Sequence, residues 1–418
     1  MILKSDNKLF YGWVIVILLI FISMVLAGTR FSFGIFFKPL AGEFLLTRTA
    51  TSSLLSVFML LCALFTIVGG WTLDRYGPRI VFLLMGIFTG LSLVLTSQAN
   101  SLWQLFITYS LLLSLGTGPF YPVTQATVSK WFEKKRGLAM GIAGSGGRLG
   151  QVVFSPLCAF LISSFGWRVA YLVIGLISWV VLIPASRLLR DDPRDIGTLP
   201  DGAVPGTGQQ EENGKGRDSR QTGLSINQAI RTANFQVLIP VWLFMGLNNL
   251  LVFTHVVPYA TDVDITAMKA AIILSVIGAA AIPGGILAGK ISDVIGRKTP
   301  LIAFSLLRAG SLIGLIWARE LWEFYLFAIA FGISIGSIGI MLAALTVDIF
   351  GKRSIGVILA TLDMCYAIGA TIGPLVGGWV YDVNSNYTLS FLIAAAGSAI
   401  SAFLIIFIKT DIKPEFAS

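Results

Sequence analysis

The sequence predicts an all-α membrane protein with twelve transmembrane helices arranged in two pseudo-symmetric six-helix bundles. Of its 418 residues, 56% are apolar and only 12% are charged, which is about half the charged share of a soluble chain. Apolar runs long enough to cross about 30 Å of hydrocarbon as a helix recur along the whole chain. Several landmarks of the first half also return in the second half. Together these observations indicate an integral membrane protein of the helical class.

Twelve spans fit the apolar runs, six on each side of a polar stretch. The first bundle lies within residues 1–190 and the second within residues 232–418. Residues 191–231 are rich in Gly, Pro, Asp, Glu, Gln and Arg and predict a flexible cytoplasmic linker. The predicted spans are 11–37, 50–72, 80–98, 102–127, 137–164 and 168–189, then 234–260, 267–290, 299–318, 322–347, 354–380 and 388–409.

The net charge of +9 reflects topology rather than nucleic-acid binding. Most Lys and Arg residues outside the spans fall in loops on one side, which the positive-inside rule assigns to the cytoplasm. Both termini fall on that side, as an even number of spans requires. We therefore expect a multi-pass monomer in the lipid bilayer of a bacterial or archaeal plasma membrane, with no nucleic-acid partner.

A ten-residue motif occurs once in each half. Residues 70–79 read GWTLDRYGPR after span 2, and residues 289–298 read GKISDVIGRK after span 8. Both match G-x-x-x-D-x-x-G-x-[RK], in which glycine permits a tight turn and aspartate can cap a helix end or pair with a basic residue. Two copies at equivalent places indicate an internal repeat. The motif residues are Gly70, Asp74, Arg75, Gly77 and Arg79, then Gly289, Asp293, Gly296 and Arg297.

These paired loops resemble the signature of the major facilitator superfamily, and the resemblance covers essentially the whole chain. Three stretches, 11–13 (YGW), 36–38 (FFK) and 131–145, are similar to patterns of the monocarboxylate transporters and the oxalate/formate exchangers. The resemblance implies alternating access through a central cavity lined mainly by spans 1, 4, 7 and 10. Animal monocarboxylate transporters keep an Asp and an Arg in span 8, whereas residues 275–288 here carry no charge. Other residues would therefore have to bind a carboxylate and a proton.

Arginines within the spans are the first candidates for substrate binding. At 1.5 Å per residue, Arg30 lies roughly 28 Å from the cytoplasmic start of span 1 and Arg148 roughly 18 Å into span 5. An arginine beside an aromatic ring such as Phe33 can bind a carboxylate through two hydrogen bonds while the ring covers an apolar tail. The alternatives are a structural role for Arg30 and a lock between the bundles for Arg148. Arg308 lies on span 9, an outer helix in this superfamily, and is expected to face a neighbouring helix.

Asp363 and His255 are the candidates for proton coupling. Asp363 lies roughly 15 Å into span 11, at a level similar to that of Arg148, and it either carries a proton or forms a fixed ion pair with that arginine. His255, the single histidine, is either a proton relay or a satisfied hydrogen-bonding residue in span 7. Asp348, close to Lys352 and Arg353, is expected to cap a helix end.

Uncharged polar residues in spans 4 and 7 complete the predicted substrate site. Asn248 and Asn249 lie in span 7, and by the repeat Asn249 falls where Arg30 falls in span 1. Two prolines interrupt span 4, and irregular backbone at membrane depth is typical of a cavity wall. Tyr121 and Gln125 are i, i+4 neighbours beside that interruption.

The sequence contains no motif of an enzyme. The three cysteines have no neighbours at metal-ligand spacing, and the P-loop, H-E-x-x-H, C-x-x-C and G-x-S-x-G motifs are absent. We therefore expect no metal, no cofactor and no catalysis. The predicted function is secondary transport of a small organic anion, in the first place a monocarboxylate, by proton symport or by anion exchange. The alternatives are export of a neutral or cationic drug-like solute and a transporter-like sensor.

Overall fold

The computed structural model describes residues 10–133, 135–202, 223–351 and 353–409, without the side chains of residues 194, 195 and 293. These ranges are almost entirely helical, because a chain in hydrocarbon must satisfy its backbone N–H and C=O groups internally. Within them, nine helices are long and apolar enough to cross a membrane. Two of the nine contain two spans each, because Gly77 (φ 77°) and Gly166 (φ 81°) adopt the left-handed backbone that turns the chain back.

Twelve spans result, as the sequence predicts. In the first bundle, span 1 consists of α1 (Tyr11–Phe31) and α2 (Phe33–Glu43), spans 2 and 3 are the two parts of α3 (Arg48–Thr96), span 4 consists of α4 (Leu102–Leu105), a π-helix (Phe106–Leu112), α5 (Leu113–Thr117) and α6 (Phe120–Trp131), and spans 5 and 6 are the two parts of α7 (Arg136–Leu188). In the second bundle, spans 7 to 12 are α9 (Ala233–Asp262), α10 (Ala267–Ile295), α11 (Lys298–Trp317), α12 (Leu321–Phe350), α13 (Ile355–Asn384) and α14 (Thr388–Ile406).

The segment between the bundles contains two 3₁₀ turns, Pro193–Ile196 and Pro200–Gly202, and the short helix α8 (Ile226–Ile230). Ser225 and Gln228 form a reciprocal capping box at the start of α8. The N–H of Leu224 donates to the carbonyl of Phe350 at 2.9 Å, which ties this segment to the end of span 10. The end of the predicted linker is therefore helical rather than flexible. Its middle, residues 203–222, lies outside the described residues, and the boundaries 1–190, 191–231 and 232–418 stay predictions.

Glycines allow the spans of each bundle to approach closely. A Cβ atom on Gly246 of span 7 would collide with the carbonyl of Tyr366 in span 11, and one on Gly369 of span 11 would collide with the carbonyl of Leu243 in span 7. Helices in lipid gain no hydrophobic energy from associating, so close backbone packing of this kind contributes much of their attraction.

We call the two ends of the molecule the linker face and the far face. The linker face carries residues 191–202 and 223–232, and the far face carries the turns at 44–47, 263–266 and 385–387. The bundles contact each other through spans 1 and 7, where Gly34 faces the carbonyl of Phe253, and through spans 5 and 8, where Gly278 faces the carbonyl of Arg148. Spans 2 and 11 form a third contact, between Gly378 and the carbonyl of Arg48.

Candidate functional site

Span 1 is interrupted beside Arg30. Helix α1 ends at Phe31, and Ser32 separates it from α2. The Ser32 hydroxyl donates to the carbonyl of Gly28 at 2.6 Å, a local bond of the kind that bends helices. The interruption lies between the bundles, and it places the Arg30 guanidinium near the rings of Phe31 and Phe58, at 5.8 and 5.9 Å from their centroids.

Span 4 is interrupted beside Tyr121, as its two prolines predict. Helix α5 ends at Thr117, Gly118 and Pro119 form a turn, and α6 begins at Phe120. Pro122 lies in the first turn of α6, where a backbone N–H would have no helical acceptor, so it fits without strain. The Tyr121 side chain beside this interruption is 62% exposed although it lies well inside the span.

Four predicted site residues lie near one another on helices of both bundles, and we call the region that they border the central cavity: Arg30, Tyr121, Arg148 and Asp363. Tyr121 lies within electrostatic range of both Asp363 and Arg148, and Asp363 lies within range of Arg30. Asp363 is exposed, and both arginines are partly buried. Gln125, also partly buried, follows Tyr121 on the same helix face. The structure therefore brings residues of spans 1, 4, 5 and 11 together.

The charges of the central cavity are not paired with one another. Among the described residues, no oppositely charged group lies within 4.0 Å of Arg30, Arg148 or Asp363. The fixed ion pair between Arg148 and Asp363 that the sequence allows is therefore not formed in this structure. The Nη2 group of Arg30 donates to the sulfur of Met59 at 3.2 Å, and its Nε group has no protein partner. The Nε group is itself buried, so only the remaining part of the guanidinium is open to a ligand.

Ion pairs and capping bonds join the bundles at the far face. Asp262 of span 7 accepts from Lys38 at 2.6 Å and from Arg48 at 2.9 and 3.0 Å. Asp382 of span 11 accepts from the backbone N–H groups of Arg48 and Thr49 at 2.9 and 2.8 Å, which caps the start of span 2. These contacts join spans 1, 2, 7 and 11, whereas a cavity of about 460 Å³ lined by Gly34, Lys38 and Pro258 lies between spans 1, 5, 7 and 8 near the same face. Tyr121 and Asp363, toward the linker face, are exposed.

His255 belongs to this far-face contact and not to the central cavity. It is fully buried, and its Nε2–H donates to the carbonyl of Pro374 at 2.9 Å while its Nδ1 accepts from the Tyr387 hydroxyl at 3.2 Å. The Tyr387 hydroxyl in turn accepts from Arg48 at 2.7 Å. These bonds together satisfy a neutral imidazole. The structure thus matches the hydrogen-bonding alternative for His255 rather than a relay in the cavity.

Two further predicted residues lie away from the central cavity. Phe33 is buried inside the first bundle with its ring centroid 5.2 Å from that of Tyr109. Asn248 is buried inside the second bundle and donates to the Ser398 hydroxyl at 2.8 Å. Both placements differ from the sequence prediction of substrate contact.

Tyr366 is a cavity residue that the sequence reasoning did not include. Its hydroxyl lies 3.4 Å from the Nδ2 group of Asn249, and its ring lies within electrostatic range of Arg148. Asn249 is therefore connected to the cavity through this tyrosine. The available signal was the i, i+3 spacing from Asp363, which places Tyr366 on the same face of span 11.

The first copy of the repeated motif connects spans 2, 3 and 6. Gly77 forms the turn, and Asp191, after the end of span 6, accepts from the N–H of Arg79 at 3.1 Å. Arg75 lies over the ring of Trp71 at 5.5 Å. Gly70 has open space beside it, and Asp74 makes no ion pair within 4.0 Å with any described residue.

The second copy of the motif connects spans 8, 9 and 10. Gly296 adopts the same left-handed backbone as Gly77, with φ 79°. Arg297 pairs with Asp348 at the end of span 10, with 2.8 Å between Nε and Oδ2. Asp348 was expected to cap a helix end and instead forms this ion pair. Gly289 has open space beside it, and the side chain of Asp293 lies outside the described residues.

Among the described residues, no group of three His, Cys, Asp or Glu side chains is arranged to hold a metal ion. The candidate site consists of Arg30, Arg148, Tyr121, Tyr366 and Asp363 around the central cavity.

Curated relatives of the chain are transporters. Monocarboxylate transporter 13 of Bos taurus is 26% identical over 388 residues, which cover 92% of this chain and 86% of the relative. Monocarboxylate transporter 4 of Rattus norvegicus is 26% identical over 408 residues, covering 95% and 82%. These relatives confirm the predicted resemblance to monocarboxylate transporters.

Solved structures share the fold. A D-xylose-proton symporter superimposes with a TM-score of 0.75 at 15% identity, covering 96% of this chain and 99% of the symporter. A bacterial homolog of the human lysosomal transporter Spinster, in an inward-facing and occupied conformation, gives a TM-score of 0.76 at 17% identity, covering 96% and 97%. The family model of the major facilitator superfamily matches residues 19–369. The chain is a multi-pass membrane transporter that belongs to the major facilitator superfamily.

Proposed function

We propose that this protein is a secondary transporter that carries a small monocarboxylate through the central cavity by alternating access. The observation that carries the proposal is that Arg30 and Arg148, near the carboxylate of Asp363, have no ion-pair partner among the described residues. A guanidinium at membrane depth is costly unless it has a role or a partner. An excess of positive charge in a confined cavity favours an anionic solute.

The chemistry of Arg30 fits a carboxylate with an apolar tail. A guanidinium is planar and can donate two parallel hydrogen bonds to one carboxylate. The rings of Phe31 and Phe58 beside the guanidinium would cover the apolar part of the same molecule. Tyr121 and Gln125 on span 4, with Asn249 and Tyr366 on the opposite wall, supply neutral donors and acceptors for the rest of the solute. The names of the relatives, monocarboxylate transporters 13 and 4, support this substrate class.

We infer that the linker face is cytoplasmic. Basic side chains are frequent at this face, as the positive-inside rule requires; examples are Lys130, Arg187, Lys290 and Lys298. In this orientation Tyr121 and Asp363 lie toward the cytoplasm, and both chain termini are cytoplasmic. The assignment to a bacterial or archaeal membrane stays a prediction, since the relatives named above come from vertebrates.

Asp363 supports proton coupling as the driving mechanism. It is exposed to the cavity and has no cationic partner within 4.0 Å among the described side chains, so its carboxylate is free to exchange a proton during the cycle. Anion exchange without protons is the competing mechanism, and it would leave uptake independent of a pH gradient. We propose no enzymatic activity, no cofactor and no nucleic-acid partner. A monomer contains the complete cavity.

The test combines ligand binding with transport by purified protein. A thermal-shift screen of small carboxylates should identify stabilising compounds, and counterflow in proteoliposomes should show that the same compounds cross the membrane. Replacing Arg30 with Ala should abolish both effects, while Arg30→Lys should retain part of the binding because it keeps the charge but loses the planar guanidinium. Arg187→Ala, at an exposed arginine on the linker face, is the matched control.

Three results would contradict the proposal. Stabilisation by carboxylates that is indifferent to Arg30→Ala would place the substrate elsewhere. Selective stabilisation and export of neutral or cationic compounds would favour the drug-exporter alternative. Binding without counterflow would favour a sensor.

A further inference from the structure

Arg308 is an isolated cation inside the second bundle. Its side chain is only 2% exposed, so it faces neither lipid nor the open cavity. Its Nε group donates to the Ser334 hydroxyl at 3.2 Å, and its guanidinium carbon lies 5.4 Å from the centroid of Phe331. No carboxylate of the described residues lies within 4.0 Å of it. Burial of a charge at this depth without an ionic partner is costly, so a specific role is expected.

A small polar cavity adjoins Arg308, but it is too small to hold a counter-ion of organic size. It admits the centre of a water-sized sphere over about 10 Å³ and is lined by Asn248, Ser305, Ser398 and Ser401 together with apolar residues. The Nη2 group of Arg308 and the Oδ1 atom of Asn248 are both buried without a protein partner. This space matches about one water molecule, which could accept from Arg308 and donate to Asn248. Such a water would satisfy the hydrogen bonds and leave the positive charge uncompensated.

The uncompensated charge reaches the central cavity. Asn248 lines the space beside Arg308, and its neighbour Asn249 lies 3.4 Å from the hydroxyl of Tyr366 at the central cavity. The wall that the second bundle contributes carries the carboxylate of Asp363, whereas both cavity arginines belong to the first bundle. Charge buried in a medium of low dielectric constant is weakly screened and acts over a longer distance than charge in water. The field of Arg308 therefore adds to the positive charge of the first-bundle arginines at the wall of the central cavity.

We propose that Arg308 is a specificity-determining residue, which favours anions in the central cavity through its buried charge and without touching the substrate. This inference rests on the proposed function of anion transport. It differs from the sequence expectation, in which Arg308 only packs against a neighbouring helix. The proposed role depends on the charge of Arg308 and not on the shape of its side chain. An experiment can therefore separate an electrostatic role from a packing role.

The experiment compares a carboxylate substrate with its neutral carboxamide analogue. Binding of both to purified protein, and transport of the carboxylate in proteoliposomes, are measured for wild type, Arg308→Gln and Arg308→Lys. Removing the charge should weaken carboxylate binding roughly 2- to 10-fold, the range expected for a charge acting across a partly wet cavity, and should leave carboxamide binding unchanged. Arg308→Lys should restore the wild-type ratio of the two affinities.

A second variant removes the net charge without removing the arginine. Asn248→Asp is isosteric and places a carboxylate beside the guanidinium, so it should lower the ratio of carboxylate to carboxamide affinity as Arg308→Gln does. Asn248→Asp also remains informative if Arg308→Gln fails to fold. Asn248→Asp gives the buried guanidinium a partner, whereas Arg308→Gln leaves buried polar groups without one, so Asn248→Asp should destabilise the fold less.

The outcomes separate this inference from the function on which it rests. If wild-type protein binds and transports no carboxylate, the proposed function fails. If wild type does so but neither Arg308→Gln nor Asn248→Asp changes the ratio of affinities, Arg308 has no electrostatic role. Arg308→Lys that is as impaired as Arg308→Gln would also overturn the inference, since it would indicate a packing role.

Discussion

Replacing Asp262 with Asn should shift the protein toward a conformation that is open at the far face. Asp262 is the common acceptor for Lys38 and Arg48, which belong to the other bundle. The amide is isosteric and keeps one acceptor oxygen, but it loses the charge and one of the two bonds to Arg48. The change therefore weakens the contact between the bundles at the far face and leaves the central cavity untouched.

The structure sets the size of the effect. The Arg48 side chain is only 15% exposed, and both of its bonds to Asp262 are short; a hydrogen bond to a charged group contributes about 1.5–3 kcal/mol. The Lys38 side chain is 37% exposed, so its ion pair contributes about 0.2–1 kcal/mol. With part of the hydrogen bonding retained by the amide, we expect a loss of about 2 kcal/mol. This corresponds to a roughly 30-fold rise in the ratio of far-face-open to far-face-closed molecules.

Electron spin-echo distance measurements can follow this ratio. Spin labels on Leu45 and Asn386, which lie in exposed far-face turns of the two bundles, should move apart in the variant, in a background where the three cysteines are replaced by alanine. Asp264→Asn is the matched control, since this exposed carboxylate two residues away has no ion pair with a described residue. An unchanged distance distribution for Asp262→Asn, or an equal shift for Asp264→Asn, would show that the ion pairs of Asp262 do not hold the bundles together at the far face.

Three further outcomes are expected. Gly369→Ala should lower the stability of the second bundle by about 1–3 kcal/mol, because the new methyl group meets the backbone of span 7; thermal unfolding in detergent should show this loss, and Gly356→Ala, in open space on the same helix, should show almost none. Asp363→Asn should abolish uphill uptake driven by a pH gradient while counterflow continues, and loss of both activities would argue against a proton-coupling role. His255→Gln should lower stability by about 2 kcal/mol, since the Pro374 carbonyl and the Tyr387 hydroxyl lose a buried partner; a changed pH dependence of uptake would instead return His255 to the transport mechanism.

Much of the fold follows from local sequence patterns. Each span is a predominantly apolar run, and such a run forms a helix in hydrocarbon wherever it lies in the chain. The turns at Gly77 and Gly296 were predicted from the repeated motif, because a left-handed backbone at a sharp turn requires glycine. The break in span 4 was predicted from its prolines for a similarly local reason. Counting residues along helices predicted similar membrane depths for Arg148 and Asp363 and a position in the outer half for Arg30.

The pairing of side chains, in contrast, was decided by the tertiary structure. Arg48 was assigned to a loop from hydropathy alone, yet it contacts Asp262 and Asp382, which are distant in sequence and belong to the other bundle. Asp348 was expected to cap a helix end, and the structure pairs it with Arg297. Phe33 was expected on the face of Arg30, but it is buried inside the first bundle.

The sequence predicts some features and not others because the physical effects behind them act over different distances along the chain. Burial of apolar groups and the conformational limits of Gly and Pro act within a few residues, so the sequence by itself determined the number of spans, the two-fold repeat and the membrane depth of the charged residues. Ion pairs and cavity walls depend on which helix faces meet, and the crossing of twelve helices sets that. Only the tertiary structure therefore decided that ion pairs join the bundles at the far face, that His255 lies beside those contacts, and that Arg308 is buried with no ion-pair partner among the described residues.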